Sequence, residues 1–245
     1  MAPEDSPPPA FDLVWLRPGG RKRQTPLSRE RIVQATIAIA DEEGLQAVTM
    51  RRIAARLGSG TNSLYWYLKS KEDLFELMFD EVMGEVALPE RPGAGWRAEL
   101  REVARQTRSV HRRHPWLAQL GIQPGLGPNT RRYFGFAKAA LEELHLDTAM
   151  VAQVLAVLNN YILGEAQRAT AWDGMMRRSG LDPREWARRF RAFVEQTVRV
   201  RDPELAADLE ARIELSGGEG FEFGLDCVLD GIASRVQASR DHAVD

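Results

Sequence analysis

Thr49 to Leu74 reads TMRRIAARLGSGTNSLYWYLKSKEDL, and this stretch decides the fold. Thr49 stands as a side-chain cap ahead of a short helix through Leu57. In that helix Ile53, Ala54 and Leu57 share the inner face, and Arg51, Arg52 and Arg56 point outward. Gly58-Ser59-Gly60 is a turn, and the pattern predicts a third short helix from Thr61 to about Tyr67. Two short helices joined by a glycine-containing turn make a helix-turn-helix, whose second helix can enter a major groove. Thr61, Asn62 and Ser63 put small hydrogen-bonding groups on the first turn of that helix, the part that reaches base edges. Tyr65, Trp66 and Tyr67 offer hydroxyl and indole donors to phosphate and apolar area to thymine methyls. Lys69 and Lys71 lie just beyond, where Ser70-Lys71-Glu72-Asp73 opens a fourth helix as a near capping box. Core packing of a bundle accounts for Leu64 and Leu68. It does not account for three aromatics in a row, which cannot all face inward.

Working outward, the helical pattern begins at Ser28 and continues to the end, with no sustained period-2 alternation of a strand. The first helix runs from Arg29 to Glu43, with Ile32, Ala35, Ile39 and Ala40 at helical spacing and Gly44 as its stop. The fourth reaches about Ala87, and Pro89 to Gly95 breaks the chain. Longer helices follow: Trp96 to Arg113, Pro128 to about Leu144, Asp147 to about Arg177, one opened by Asp182-Pro183, a shorter one from Pro203, and Gly220 to about Gln237. The expected class is all-α, with an N-terminal three-helix helix-turn-helix domain and a C-terminal helical domain. Residues 1–27 are read as a flexible N-terminal extension with a basic arm (Arg21, Lys22, Arg23), in which the segment Phe11 to Leu16 could dock on the body. Residues 28–70 are the helix-turn-helix domain, 71–238 the helical body, with 71–88 its connecting helix, and 239–245 a tail.

Composition narrows the classes further. The chain has 245 residues, 44% apolar and 28% charged, which excludes a disordered or collagen-like chain. Its one cysteine, Cys227, allows no intrachain disulfide and no thiolate cage, and falls on an apolar stripe as a small buried side chain. No run approaches ~18 uninterrupted apolar residues, and the acidic, proline-rich start is not an export signal, so a cytoplasmic protein without a membrane span is expected. The net charge of −2 hides an asymmetry: Arg17 to Lys71 holds eleven Lys and Arg against four Asp and Glu. A basic N-terminal third on a mildly acidic body suits a polyanion. No nucleophile elbow, phosphate loop or zinc motif is present, so no catalytic residue is assigned and an enzyme is not expected. His111-x-x-His114 has helical spacing but no third ligand, and neither a metal nor a cofactor is assigned.

Residues 28 to about 87 resemble the DNA-binding domain of the TetR family of bacterial transcriptional regulators, in its tetracycline-repressor-like branch. The likeness rests on Ala40-Asp41-Glu42-Glu43-Gly44, Thr49-Met50-Arg51-Arg52-Ile53-Ala54, Leu57-Gly58, and Leu64-Tyr65-Trp66-Tyr67-Leu68 with Lys69 and Lys71. The resemblance implies that Arg51 and Thr61 to Ser63 read bases, with Tyr65, Tyr67 and Lys71 on phosphates and Trp66 alongside. Gly60, also in the contact set, stands where the tetracycline repressor has a long polar side chain, so no operator sequence carries over. The basic arm resembles those some members place near the minor groove; a solvated charge run is the plain alternative. The body from Trp96 onward resembles the family's ligand-binding and dimerisation domain in helix order. There two helices from each subunit make a four-helix interface, which implies a homodimer through Leu155, Leu158 and Ile162 and through Leu225, Val228, Leu229 and Ile232; ordinary core is the alternative.

Effector contacts are sought among polar and aromatic residues on the otherwise apolar faces of the central helices: Thr107, His111, Trp116, Tyr133, Phe136, Tyr161 and Trp172. For each of them, satisfied core is the plain alternative. The His and Asn ligand pattern for metal-bound tetracycline cannot be matched. The expected function is a DNA-binding regulator, a repressor on a palindromic duplex operator, released by a small, largely apolar effector. The rival is a helical ligand-binding protein or enzyme whose N-terminal bundle is only structural, and an activator with the same DNA-binding head is the other alternative.

Overall fold

A computed structural model describes residues 27–120, 125–214 and 218–242. The basic arm, the segment Phe11 to Leu16 and the end of the tail lie outside the described residues. Among the described residues every regular element is helical. They are α1 (Arg29–Glu43), α2 (Met50–Arg56), α3 (Thr61–Leu64), α4 (Lys71–Met83), α5 (Trp96–Arg113), α6 (Pro128–Ala140), α7 (Thr148–Ser179), α8 (Pro183–Phe193), α9 (Pro203–Glu214) and α10 (Gly218–His242). Single turns at Leu45–Ala47, Pro115–Gln119 and Glu142–Leu144 and a π-helical turn at Val194–Val198 connect them. The chain forms two compact units. Residues up to Pro92 and Gln106–Ala139 make one, and Gly93–Arg105 with the residues from Ala140 onward make the other.

In the first unit, helix starts are set by side chains that stand in for missing helical acceptors. Ser28, Thr49 and Ser70 accept the backbone N–H groups of Arg31 (3.2 Å), Arg52 (3.2 Å) and Asp73 (3.1 Å). Asp73 reaches back to the Lys69 N–H at 3.0 Å, which completes the capping exchange at α4. Ile32, Ile39, Ile53 and Leu64 are fully buried and Leu68 nearly so, giving α1, α2 and α3 one shared core. Burying each such side chain contributes about 1.5–3 kcal/mol. α4 packs on α1, burying Leu74, Leu77, Met78 and Val82, with Gln34 donating to Glu81 at 2.7 Å.

α4 is pinned near its far end by Asp80, a buried carboxylate. It accepts the Thr130 N–H and hydroxyl, both at 2.8 Å, and the Asn129 N–H at 3.3 Å. These groups sit in the first turn of α6, where free N–H groups and the helix dipole favour an anion. Gly127 is required there, because a Cβ at that position would overlap the Asp80 carboxylate. Arg132 adds hydrogen bonds to the carbonyls of Gly84 (3.3 Å) and Val86 (2.9 Å).

The second unit is built on α7 and α10, which pack through Leu155, Leu158, Ile162, Phe221, Leu225 and Leu229. Asp147 caps α7 through the Met150 N–H (2.7 Å), and Asp182 caps α8 through Arg184 and Glu185. The first half of α5 is tied to α10 by an ionic ladder four residues in step: Arg97 to Asp230 (2.6 Å), Arg101 to Asp226, and Arg105 to Glu222 (2.8 Å). Glu99 accepts the N–H groups of Gly93 and Ala94, which hold its carboxyl below the usual carboxylate range. α7 is long and apolar enough to cross a bilayer by length and composition. It nonetheless buries Leu158 and Ile162 in this unit and carries the Glu165–Arg168 ion pair (2.7 Å), so it is a core helix rather than a membrane span.

Several expectations on element bounds shift: α4 stops at Met83 rather than near Ala87, and α10 runs from Gly218 to His242, into the expected tail. α3 is only Thr61–Leu64, and Tyr65 to Tyr67 form a turn closed by the Tyr67 N–H on the Leu64 carbonyl (2.9 Å). α6 ends at Ala140, before the separate turn at Glu142–Leu144. The helix-turn-helix corner depends on Gly58, whose φ of 61° lies in the left-handed region that a Cβ disfavours by roughly 1–2 kcal/mol. Gly60, at φ −82° with open space around it, carries no such constraint. Gly58→Ala is therefore expected to lower the melting temperature by about 2–8 °C. Gly60→Ala should leave it unchanged, and thermal melts followed by circular dichroism check both.

Candidate nucleic-acid interface and body sites

Leu64 and Leu68 are one turn apart and both buried, so the residues between them are turned toward solvent. Tyr65 is 54% exposed and Trp66 88%. Asn62 and Ser63 are exposed, Thr61 is half-buried, and Gly60, Lys69 and Lys71 are exposed. Lys71 Nζ also stands 5.1 Å over the Phe75 ring. These residues make one polar and aromatic surface at the end of the first unit. Tyr67 is the exception: it is half-buried, and its hydroxyl donates to the Leu27 carbonyl at 2.9 Å. That bond ties the start of the described chain to the turn after α3 and uses the hydroxyl proton that the resemblance implied for a phosphate.

The three arginines of α2 are all exposed, but they differ in charge balance. Arg52 grips Glu43 with its nearest nitrogen at 2.5 Å, and Arg56 is bidentate to Glu42 with both contacts at 2.7 Å. The Arg56 hydrogen bonds hold the Glu42 carboxyl below the usual range, and the acids in turn raise both guanidinium groups. Arg51 has no acidic partner among the described residues. The residue singled out for base reading is thus the α2 cation that remains uncompensated, a distinction that pattern alone did not supply.

In the body, four of the seven effector candidates lie on two helices of the first unit, α5 and α6. Thr107 of α5 and Tyr133 of α6 are buried and hydrogen-bonded to each other. His111 lies one turn along α5 and buried Phe136 one turn along α6. Burial pushes the Tyr133 hydroxyl up to about 12, against the opposing Thr107 hydrogen bond. Burial, aided by the charge of His114, pushes His111 down to about 4, so its ring is neutral near pH 7. Its Nδ1 is buried with no hydrogen-bond partner among the described residues. The other three make their contacts elsewhere. Trp116 Nε1 donates to Asp41 at 2.6 Å. Tyr161 donates to the Phe221 carbonyl at 2.7 Å, and Trp172 meets Trp186 edge to face; these two belong to the second unit.

The dimer residues read from periodicity need correction. Leu155, Leu158, Ile162, Leu225, Leu229 and Ile232 are buried within one chain, and only Val228 is partly open. Their 3-and-4 spacing marks the face that α7 and α10 turn to their own core, and of this set only Val228 keeps area open to a partner. Cys227, expected to be buried, is exposed. It sits on a different strip of α10 with Phe223 (72% exposed), Gly231 and Ser234. α7 has a matching exposed strip of Gln153, Ala156, Val157 (50% exposed), Asn160 and Gly164. Neither strip contains a charge, in a chain that is 28% charged.

Comparison with known proteins bears on the family and the fold. Residues 32–78 match the family model for bacterial regulatory proteins of the tetR family, and residues 88–236 the model for the tetracyclin repressor-like C-terminal domain. The HTH-type transcriptional repressor DrrR1 of Streptomyces coeruleorubidus is 33% identical over 235 residues, covering 94% of this chain and 87% of DrrR1. The crystal structure of the Streptomyces coelicolor TetR family protein ActR in complex with actinorhodin superposes with a TM-score of 0.73 at 27% identity, covering 86% of this chain and 97% of ActR. BioQ of Mycobacterium smegmatis, solved with its double-stranded DNA operator, shares the fold alone, at 19% identity and a TM-score of 0.58 over 85% of this chain and 99% of BioQ. An all-helical chain with a solvent-facing helix-turn-helix, matched by both family models across most of its length, belongs to the TetR family and is a DNA-binding transcriptional regulator.

Proposed function

We propose that the protein is a repressor that binds a palindromic operator as a homodimer and leaves it when a small, largely apolar effector enters the body. The observation that carries the DNA reading is the exposed surface of Asn62, Ser63, Tyr65 and Trp66 beside an uncompensated Arg51. A tryptophan with 88% of its surface in water is ill suited to a merely supporting bundle and well suited to a groove wall. In this reading residues 28–70 are the reading head. Arg51 and Thr61 to Ser63 meet base edges, and Tyr65, Trp66, Lys69 and Lys71 meet the backbone and thymine methyls. Residues 71–88 connect the head to an effector-binding and dimerising body that runs to residue 238, and the protein works in the cytoplasm.

Repression is supported by the name of DrrR1, and a small effector by the actinorhodin held in ActR. Thr107, His111, Tyr133 and Phe136 suit an apolar wall with two polar handles, a neutral imidazole and a hydroxyl. Dimerisation is assigned to the uncharged strips around Val157 on α7 and Phe223 and Cys227 on α10. One head reaches one half-site, whereas a two-fold pair reaches two, ~34–36 Å apart. Release is a population shift, in which carrying a 1:99 equilibrium to 99:1 requires an effector preference of about 10⁴-fold. Actinorhodin is the first probe for this step.

A gel shift on a duplex carrying the inverted repeat nearest the protein's own gene tests the DNA reading. Binding should weaken steeply with salt, with a log–log slope of about 0.9 per neutralised phosphate. Asn62→Ala combined with Tyr65→Ala should lose at least about tenfold in affinity while the melting temperature is kept. Undiminished binding by that variant, or binding indifferent to sequence, favours a bundle that is only structural. For the dimer, Val157→Glu is expected to give a folded monomer by sedimentation, because it puts a charge on the proposed joint. Leu158→Glu should instead unfold the body, because it places the charge in the core.

A further inference from the structure

α1 ends in two glutamates, Glu42 and Glu43, at the pole of a helix whose dipole disfavours negative charge, and its last turn holds no basic residue. Each glutamate instead takes one arginine of α2. Glu43 accepts Nε and Nη2 of Arg52 at 3.0 and 2.5 Å, and Glu42 accepts Nη1 and Nη2 of Arg56, both at 2.7 Å. The four side chains are between 31% and 54% exposed, a setting in which an ion pair contributes little to stability. Folding therefore gives little reason for two acids at this end of the helix. What the pairs occupy is more telling. Each carboxylate sits on two nitrogens of its guanidinium, the same fork that grips a phosphate. Arg52 and Arg56 are exposed on the first helix of the helix-turn-helix, the element that crosses the DNA backbone. Arg51 beside them has no acidic partner among the described residues.

We propose that Glu42 and Glu43 are positioning residues that hold Arg52 and Arg56 off the DNA backbone and so set the sequence-independent affinity of the reading head. From Ser28 to Lys71 there are seven Lys and Arg against four Asp and Glu, and these two glutamates are half of the acids. Without them the charge of this stretch rises from +3 to +5. The carboxylates compete with phosphate for the same forks, one acid to each arginine, and leave Arg51 as the α2 cation open to the duplex. A phosphate contact adds affinity for every sequence alike, and competing genomic sites vastly outnumber any operator. Withholding two such contacts keeps the protein from being detained on DNA that it does not read. The inference rests on DNA binding by the helix-turn-helix and is independent of the effector, the dimer and the operator sequence.

Glu42→Gln with Glu43→Gln in the full-length protein keeps the side-chain shapes and removes both charges. Binding to a fluorescent duplex of random sequence is followed by anisotropy across a salt series. The log–log slope should steepen by about 0.9 for each arginine released, and affinity near ~0.15 M salt should rise about fivefold per arginine. Each single replacement gives the same readout at about half the size of the double one, and so decides the question even if the double variant folds poorly. Arg52→Gln with Arg56→Gln in the otherwise wild-type chain should leave the slope unchanged, because those arginines are already withheld. A merely structural strap between α1 and α2 would move the melting temperature and not the salt slope. A slope that stays the same when the acids are lost overturns the proposal. So does a slope that falls when the two arginines alone are replaced, since they would then already be on phosphate.

Discussion

The burial of Leu64 and Leu68 is the constraint on which the rest depends. Both are enclosed by the core that α1 and α2 supply, and they are separated by a single turn. With its two ends held inside, the segment has no means of hiding Tyr65 and Trp66, which are turned to water by geometry rather than by preference. The core thus does two things at once: it stabilises a small bundle and it aims the polar and aromatic surface outward. Gly58 and the Thr49 cap set the corner between α2 and α3, and the Tyr67 hydroxyl, bonded to Leu27, braces the turn from behind.

The reading surface is of use to a regulator only if its mounting is stiff where force must pass and loose where it must yield. α4 is the element between head and body in the chain. One part of it is held by greasy contact with α1 and another by a buried carboxylate, Asp80, on the first turn of α6. A carboxylate bound by three protein donors and closed over by a glycine is a directional joint, unlike an apolar contact that slides. Beyond it, Glu85 meets His114 and Arg113.

Helix order, caps and the inner faces of the head were legible in the chain itself. Ser28, Thr49, Asp147 and Asp182 cap as their residue types suggest, and Leu64 and Leu68 are core. What was not legible depends on partners distant in sequence. Nothing local tells Arg51 from Arg52 and Arg56; the difference is Glu42 and Glu43, nine to fourteen residues away on another helix. Trp116 looks like a ligand contact until Asp41 is found on its indole. The stripes of α7 and α10 show how periodicity identifies a buried face without saying what buries it. The strongest apolar stripe went to the chain's own core, and the weaker strip of small, uncharged residues was left outside. Cys227 moved with that rotation, from the buried set to the exposed one.

The central claim is that two such heads, one per protomer, engage one duplex together. Hydroxyl-radical footprinting of the full-length protein on the promoter region of its own gene measures this most directly. The account predicts two protected patches on the same face of the duplex, with centres about one helical turn or a whole multiple of it apart. A single patch, patches on opposite faces, or protection spread evenly along the duplex would contradict it.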